Sequence, residues 1–156
     1  MSIRHCLAAL AAVSALAHAA DTPGSNPSVR GPSVNDRLDS ARKAIAAKDW
    51  SRATTELNAA VRDEPRNADV HNLLGYSYRK RATPDLVKAF EHYGTALKLD
   101  PRHKGAHEYI GEAYLMDRKP AEAEKHLAEL EKICGNKTCE EYADLAKSLA
   151  DYKAKN

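Results

Sequence analysis

The chain has 156 residues and carries 24 lysine and arginine side chains against 22 aspartate and glutamate side chains, for a formal net charge of +2. This length suits a single domain. A charge this close to balance gives no electrostatic reason to expect nucleic acid or an anionic membrane as a partner.

The first 19 residues have the three parts of a secretory signal peptide. Arg4 supplies the basic start, residues 6–16 form an apolar run, and Ala17-His18-Ala19 matches a small-x-small cleavage site. The run is shorter than the roughly 20 apolar residues that a membrane-spanning helix needs. We therefore expect residues 1–19 to be removed on export, with no membrane anchor left. The mature protein is then expected to be periplasmic or secreted.

Residues 20–33 are predicted to be a flexible linker. The stretch DTPGSNPSVRGP at 21–32 has three prolines, two glycines and no aromatic residue. Such a segment buries too little apolar surface to offset the entropy lost on ordering. The folded domain is expected to occupy residues 34–153.

Seven helices are predicted in that domain. Pro65 and Pro101 each follow the end of one helix, because the residue before a proline avoids helical angles. Asp49 stands where a capping side chain is expected, and Thr138-x2-Glu141 predicts a capping box for the last helix. The predicted helices are Asn35–Ala47, Trp50–Asp63, Ala68–Arg81, Pro84–Leu99, Lys104–Met116, Pro120–Cys134 and Cys139–Lys153.

One set of positions recurs along the chain at an offset of 36 residues (89 − 53 and 111 − 75). The recurring groups are Ala53, Leu57, Ala60 and Pro65 with Ala89, Tyr93, Ala96 and Pro101, and Leu74, Gly75 and Tyr78 with Ile110, Gly111 and Tyr114. Ala123 repeats Ala89 at an offset of 34 (123 − 89). A repeat of this length is typical of a helix–turn–helix pair that stacks on its neighbours.

This pattern resembles the tetratricopeptide repeat family, in which W-x2-L-G-x2-Y is followed by A-x3-F and P over about 34 residues. The second repeat, residues 68–103, fits best and has about two extra residues in the turn at 81–85. The third, 104–137, lacks the final proline. The first, 34–67, has Ser40-Ala41-x2-Ala44 in place of Leu-Gly-x2-Tyr. The resemblance implies an all-α right-handed superhelix of three helix–turn–helix pairs with a C-terminal capping helix at 139–153.

The resemblance also implies a binding groove, lined by the first helix of each pair. The corresponding residues are Leu38, Arg42, Ile45, Asn72, Tyr76, Arg79, Lys80, Glu108, Glu112 and Leu115. This mixture suits a protein or peptide ligand, with Tyr76 and Arg79 as the expected anchors. It does not match the lysine and asparagine carboxylate clamp of members that bind chaperone tails. Because small exported members assist the assembly of envelope machines, we expect a non-enzymatic periplasmic adaptor.

Two cysteines remain in the mature protein, because Cys6 is removed when the signal peptide is cleaved. Cys134 and Cys139 flank a turn at residues 135–138, and an even pair in an exported protein predicts a disulfide. Their spacing is not the Cys-x2-Cys of thioredoxin-like enzymes. A structural bond is therefore favoured over a thiol–disulfide enzyme, which is the weaker alternative.

The histidines offer a second alternative, a metal- or haem-handling accessory protein. His103 and His107 are four residues apart on one helical face, a spacing that can chelate Zn²⁺ or Cu²⁺. However, His71 and His107 occupy equivalent repeat positions, as do His92 and His126, which favours packing. The chain has no nucleophile elbow and no phosphate-binding glycine loop. We therefore expect no cofactor and no enzymatic activity.

Overall fold

The computed structural model describes residues 31–156 and folds them into seven helices joined by short turns. The predicted signal peptide and residues 20–30 of the predicted linker lie outside the described residues. The helices are α1 (Val34–Ala46), α2 (Trp50–Asp63), α3 (Ala68–Arg79), α4 (Leu86–Leu99), α5 (Lys104–Met116), α6 (Pro120–Cys134) and α7 (Glu140–Lys155). Residues 31–156 contain no strand, which confirms the predicted all-α class. In this range no helix is both long enough and apolar enough to cross a membrane.

The helices pack as three consecutive pairs. α1 packs on α2, α3 on α4 and α5 on α6, and each pair contacts the next through α2–α3 and α4–α5. α3 also contacts α5, so the first helices of the second and third pairs lie side by side. The concave face is the surface that the first helices of the pairs present. α7 packs against both α5 and α6, as the first helix of a fourth pair would.

Side chains at the helix starts satisfy backbone amides that have no partner within the helix. Ser33 and Asp36 form a reciprocal capping box at α1, and the Asp49 carboxylate accepts from the Arg52 amide at α2. α4 begins two residues later than predicted, at Leu86, because the Asp85 carboxylate accepts from the Lys88 amide. The two extra residues of this repeat therefore lie in a longer turn.

The capping box predicted for the last helix is wrong. α7 begins after Cys139, and no side chain caps it. The Thr138 hydroxyl and amide both donate instead to Asn136 Oδ1, at 2.9 and 2.8 Å. Asn136 Oδ1 also accepts from the Cys139 amide at 3.1 Å, so this side chain organises the turn. The Thr138 hydroxyl and amide, which the capping box would need, are therefore already used.

The predicted disulfide is present between Cys134 and Cys139, whose Cα atoms are 6.3 Å apart. It joins the end of α6 to the start of α7. Gly135 ends α6 at a φ of 70°, a left-handed conformation that glycine adopts without a steric penalty. The glycine turn and the bond together hold α7 against the third pair.

Two glycines allow close helix contacts, but with different partners. A Cβ on Gly75 would lie 2.6 Å from the ring of Tyr93, within the second pair. A Cβ on Gly111 would lie 2.6 Å from Leu145 Cδ2. The second contact joins α5 to α7 and not to α6, the partner of α5 in the third pair.

Candidate peptide-binding groove

The predicted groove residues differ widely in how far they reach solvent. Arg42 and Lys80 are exposed, and Ile45, Tyr76 and Glu112 are partly buried. The remaining five have at most 9% of their surface exposed; they are Leu38, Asn72, Arg79, Glu108 and Leu115. Half of the predicted set therefore forms the floor and walls of the concave face, and only the other half offers surface in this conformation.

An aromatic strip, defined as Trp50, Tyr76 and Tyr109, extends from the start of α2 to the first helices of the second and third pairs. The Trp50 and Tyr76 ring centroids are 6.3 Å apart with an edge-on geometry. The Tyr76 and Tyr109 centroids are 4.8 Å apart. All three side chains are partly exposed. Sequence reasoning found only Tyr76, although Tyr109 is one helical turn before the predicted Glu112 on the same helix face.

Arg79 holds the floor beneath this strip. Its Nε donates to Tyr93 Oη at 3.2 Å, and its guanidinium carbon lies 5.4 Å from the Tyr76 ring centroid and 5.6 Å from that of Tyr109. Arg79 Nη2 lies 2.5 Å from Glu112 Oε2 as an ion pair, without the alignment of a hydrogen bond. Burial opposes the charge of Arg79, but Tyr93 and Glu112 outweigh it and raise the arginine pKa. Arg79 is thus a packing and electrostatic support.

α7 contributes one wall of the groove, which the sequence did not predict. A cleft of about 360 Å³ lies between α3, α5 and α7, and it is lined in part by Arg79, Glu112, Leu115, Met116, Ser148 and Tyr152. Ser148 Oγ donates to Glu112 Oε1 at 3.1 Å. The last helix therefore does more than cover the third repeat, because one of its faces extends the concave surface.

Glu108 is the most perturbed acid of the concave face. Burial raises its pKa to about 8, and the neighbouring carboxylates of Glu112, Asp144 and Glu141 add to the shift while Arg79 opposes it. Within residues 31–156, Glu108 has no ion-pair partner, and its carboxylate accepts no hydrogen bond. Burial of a carboxyl without a donor stabilises the protonated form.

The weak metal candidates His103 and His107 use their nitrogens in separate contacts. His103 caps α5, since Nδ1 accepts from the Ala106 amide at 3.1 Å and Nε2 donates to Asp69 Oδ1 at 3.0 Å. His107 Nε2 donates to the Pro101 carbonyl at 3.0 Å, and Nδ1 lies 2.9 Å from Nδ1 of His126. The two rings therefore do not converge on a common ligand position.

The same histidine pair occurs in the second repeat. His71 Nε2 donates to the Pro65 carbonyl at 3.0 Å, and its Nδ1 lies 3.2 Å from Nδ1 of His92. Because a carbonyl can only accept, neutral His71 is protonated at Nε2 and must accept at Nδ1 from His92. Burial and the neighbouring histidine lower the pKa of His92, and in the third repeat they lower that of His126 to about 4. His92 and His126 therefore favour the neutral form within these pairs.

Comparison with known proteins agrees with this architecture. The tetratricopeptide repeat family model matches residues 38–93 and 85–137. Among curated proteins, none matches the sequence.

Solved structures of low identity share the fold. The Yersinia enterocolitica type III secretion translocator chaperone SycD has a TM-score of 0.70 at 18% identity, covering 82% of this chain and 97% of that one. The TPR2B domain of yeast Sti1, in a pHsp70 complex, has a TM-score of 0.70 at 12% identity, covering 79% and 98%. The Sgt2 TPR domain from Aspergillus fumigatus has a TM-score of 0.68 at 20% identity, covering 80% of this chain and 84% of that one. With the family match extending from residue 38 to 137, the chain belongs to the tetratricopeptide repeat family.

Proposed function

We propose that this protein is a non-enzymatic adaptor of the bacterial periplasm that holds a peptide or protein segment in its concave groove. The single observation that carries the proposal is the aromatic strip, which lies partly exposed across three repeats beside the α7 cleft. Tryptophan and tyrosine provide large contact areas with few rotatable bonds, and they are enriched where binding energy concentrates.

The periplasmic setting rests on the signal-like residues 1–19 and on the disulfide, since such bonds persist in oxidising compartments. Assistance in assembling an envelope complex is the role that fits a small exported repeat protein. The similar structures include a TPR domain in complex with pHsp70 and a secretion translocator chaperone, which supports a role in binding other proteins.

Photoreactive residues at positions 76 and 112 test the proposal, because both side chains lie on the concave face and are partly exposed. Irradiation of periplasm should cross-link the partner, and mass spectrometry identifies it. Tyr76→Ala should then weaken binding of the purified partner by at least about tenfold, or 1.4 kcal/mol. Arg79 is left intact in this experiment, because its removal would leave Tyr93 Oη and Glu112 without their partner.

The matched control is Val87→Ala on the outer helix α4, where the side chain is 81% exposed. This change should leave binding unaffected. Loss of binding with Val87→Ala but not with Tyr76→Ala would place the binding surface on the convex side. Intact-mass measurement of periplasmic protein tests export, which predicts a start at Ala20 or Asp21.

A further inference from the structure

The groove holds an acceptor that lacks a donor. Glu108 is only 9% exposed, and neither a hydrogen bond nor an ion pair within residues 31–156 satisfies its carboxylate. A buried carboxyl group of this kind destabilises the fold unless a donor or a counter-charge reaches it. The Glu108 oxygens are not among the fully enclosed atoms without a partner, so solvent or a bound donor can reach them.

A second acceptor lies at the equivalent position of the preceding repeat. Asn72 is 6% exposed, and its Oδ1 is buried without a partner. Its Nδ2 lies 3.2 Å from the position of a Cβ on Gly105, one helical turn before Glu108 on the same face of α5. Because this oxygen is enclosed, Asn72 shows that the junction of α3 and α5 is polar, and Glu108 supplies the acceptor there that a ligand can reach.

The surrounding charges favour a cation at this junction. Glu112 on α5 and Glu141 and Asp144 on α7 all raise the pKa of Glu108, and the positive charge of Arg79 on α3 lowers it. Arg79 is already paired with Glu112, and Lys104 is paired with Glu141 at 3.4 Å. The positive charges nearby are therefore committed to other acids, which leaves Glu108 available.

The geometry favours an organic cation over a metal ion. Within residues 31–156, the one group of three metal-ligating side chains that converges within 4.8 Å is Cys134, Cys139 and Glu141, and its sulfurs are bonded to each other. Glu108 and its acidic neighbours do not converge in this way. A lysine or arginine side chain needs only one carboxylate and a neighbouring acceptor.

We propose that Glu108, at the junction where Asn72 of α3 meets α5, is the subsite that accepts a lysine or arginine side chain of the bound segment. This inference rests on the proposed peptide-binding function and specifies the chemistry of the partner. The basic side chain enters between α3 and α5 while its neighbours contact the aromatic strip. Binding ionises Glu108 and releases its proton to solvent.

The test uses fluorescein-labelled octapeptides in which alanine alternates with lysine, glutamine or glutamate, measured by fluorescence anisotropy. The lysine peptide should bind wild type at least fivefold more tightly than the glutamine peptide, and the glutamate peptide more weakly still. The affinity of the lysine peptide should rise at least threefold between pH 6.5 and 8.5, because Glu108 ionises around its pKa of about 8. The lysine ammonium groups remain charged over this range.

Glu108→Gln should remove the preference for lysine over glutamine and flatten the pH dependence. Far-UV circular dichroism should show unchanged helicity, because the amide relieves the cost of burying a charge. The matched control is Glu129→Gln on α6, which carries an exposed carboxylate paired with Lys132 and should behave as wild type in every respect.

A wild-type protein that does not distinguish the lysine and glutamine peptides would overturn the inference. A lysine preference that survives Glu108→Gln, or one that Glu129→Gln abolishes equally, would also overturn it by assigning the binding to general surface charge. If partner binding still depends on Tyr76 in either case, the adaptor function stands and only the basic-side-chain subsite is lost.

Discussion

The second and third helix pairs share their sequence pattern but are stabilised differently. In the second pair, Gly75 packs against the ring of Tyr93 on α4. In the third pair, Gly111 packs against Leu145 of α7, outside the pair. An equivalent glycine therefore predicts a close helix contact, while the neighbour that fills the contact depends on where the repeat stands in the stack.

The hydrophobic core is also divided, into one cluster that includes the second pair and another at the C-terminal end. One cluster of buried residues extends from Val34 on α1 to Ala113 on α5 and includes Tyr93. A second cluster, at the C-terminal end, contains Leu115, Ala123, Leu130, Leu145 and Leu149. Tyr114 packs against both. The third pair thus completes its core only with α7, as expected for repeats that bury their surface by stacking.

Adding a methyl group at each glycine is the strongest test of the difference between the two pairs. Gly75→Ala should lower the free energy of unfolding by about 2–3 kcal/mol, because the planar Tyr93 ring is fully buried and cannot move aside. Gly111→Ala should lower it by no more than about 1 kcal/mol, since the methyl ends of Leu145 can rotate away and alanine favours the helix. Urea denaturation measures both, and equal losses would contradict the difference between the two contacts.

Removal of the disulfide should affect only the C-terminal region. Closing so short a loop, with a sequence separation of 5, is expected to stabilise the protein by about 2 kcal/mol. Cys134→Ser should therefore lower the melting temperature without abolishing helicity. Hydrogen exchange should become faster in α7 while the amides of α3 and α4 keep their protection. Faster exchange throughout the chain would show that the two core clusters unfold as one unit.

The histidine pairs predict that acid destabilises the third pair. The folded pKa of His126, about 4, lies below the unfolded value of about 6.5. Between these values the unfolded chain binds more protons, so stability is lost as the pH falls from 6.5 towards 4. Between pH 7 and 4.5, His126→Gln should reduce the loss in the free energy of unfolding by about 1 kcal/mol, because solvent screens the partly exposed ring.

The matched change in the second pair is His92→Gln, because the pKa of His92 is also lowered. Denaturant titrations at several pH values should show a smaller reduction for this variant than for His126→Gln. A larger reduction for His92→Gln would reverse the assignment of acid sensitivity to the third pair.

The smallest effect is expected on the outer face of the third pair. Glu129→Gln removes an exposed ion pair with Lys132, at 2.7 Å, and should change the free energy of unfolding by less than about 0.5 kcal/mol. A loss as large as that of Gly111→Ala would indicate that α6 turns a different face to solvent.

Much of the fold could be predicted from the residues because the periodic information is local. The small residues Ala53, Ala89 and Ala123 recur at offsets near one helix pair, and all three are fully buried. Prolines and capping side chains placed most helix ends within two residues of their observed positions. The cysteine pair was close enough in sequence for its bond to follow from the turn between the two residues.

The candidate groove depended on contacts that local patterns do not encode. Arg79 was predicted as a free anchor, but its position beneath Tyr93 and Glu112 arises from the stacking of α3, α4 and α5. The wall supplied by α7 likewise needs the helix to dock against α5.

The sequence by itself determined the helix pairs, their order and the disulfide, because spacing, caps and small residues act over one or two helical turns. Only the tertiary structure decided which polar side chains the stack buries and which it leaves exposed. Glu108 shows the reason: nothing adjacent in sequence marks it as unpaired, and its burial arises where α3, α5 and α7 meet. A side chain's charge state and partners are set by neighbours that are distant in sequence.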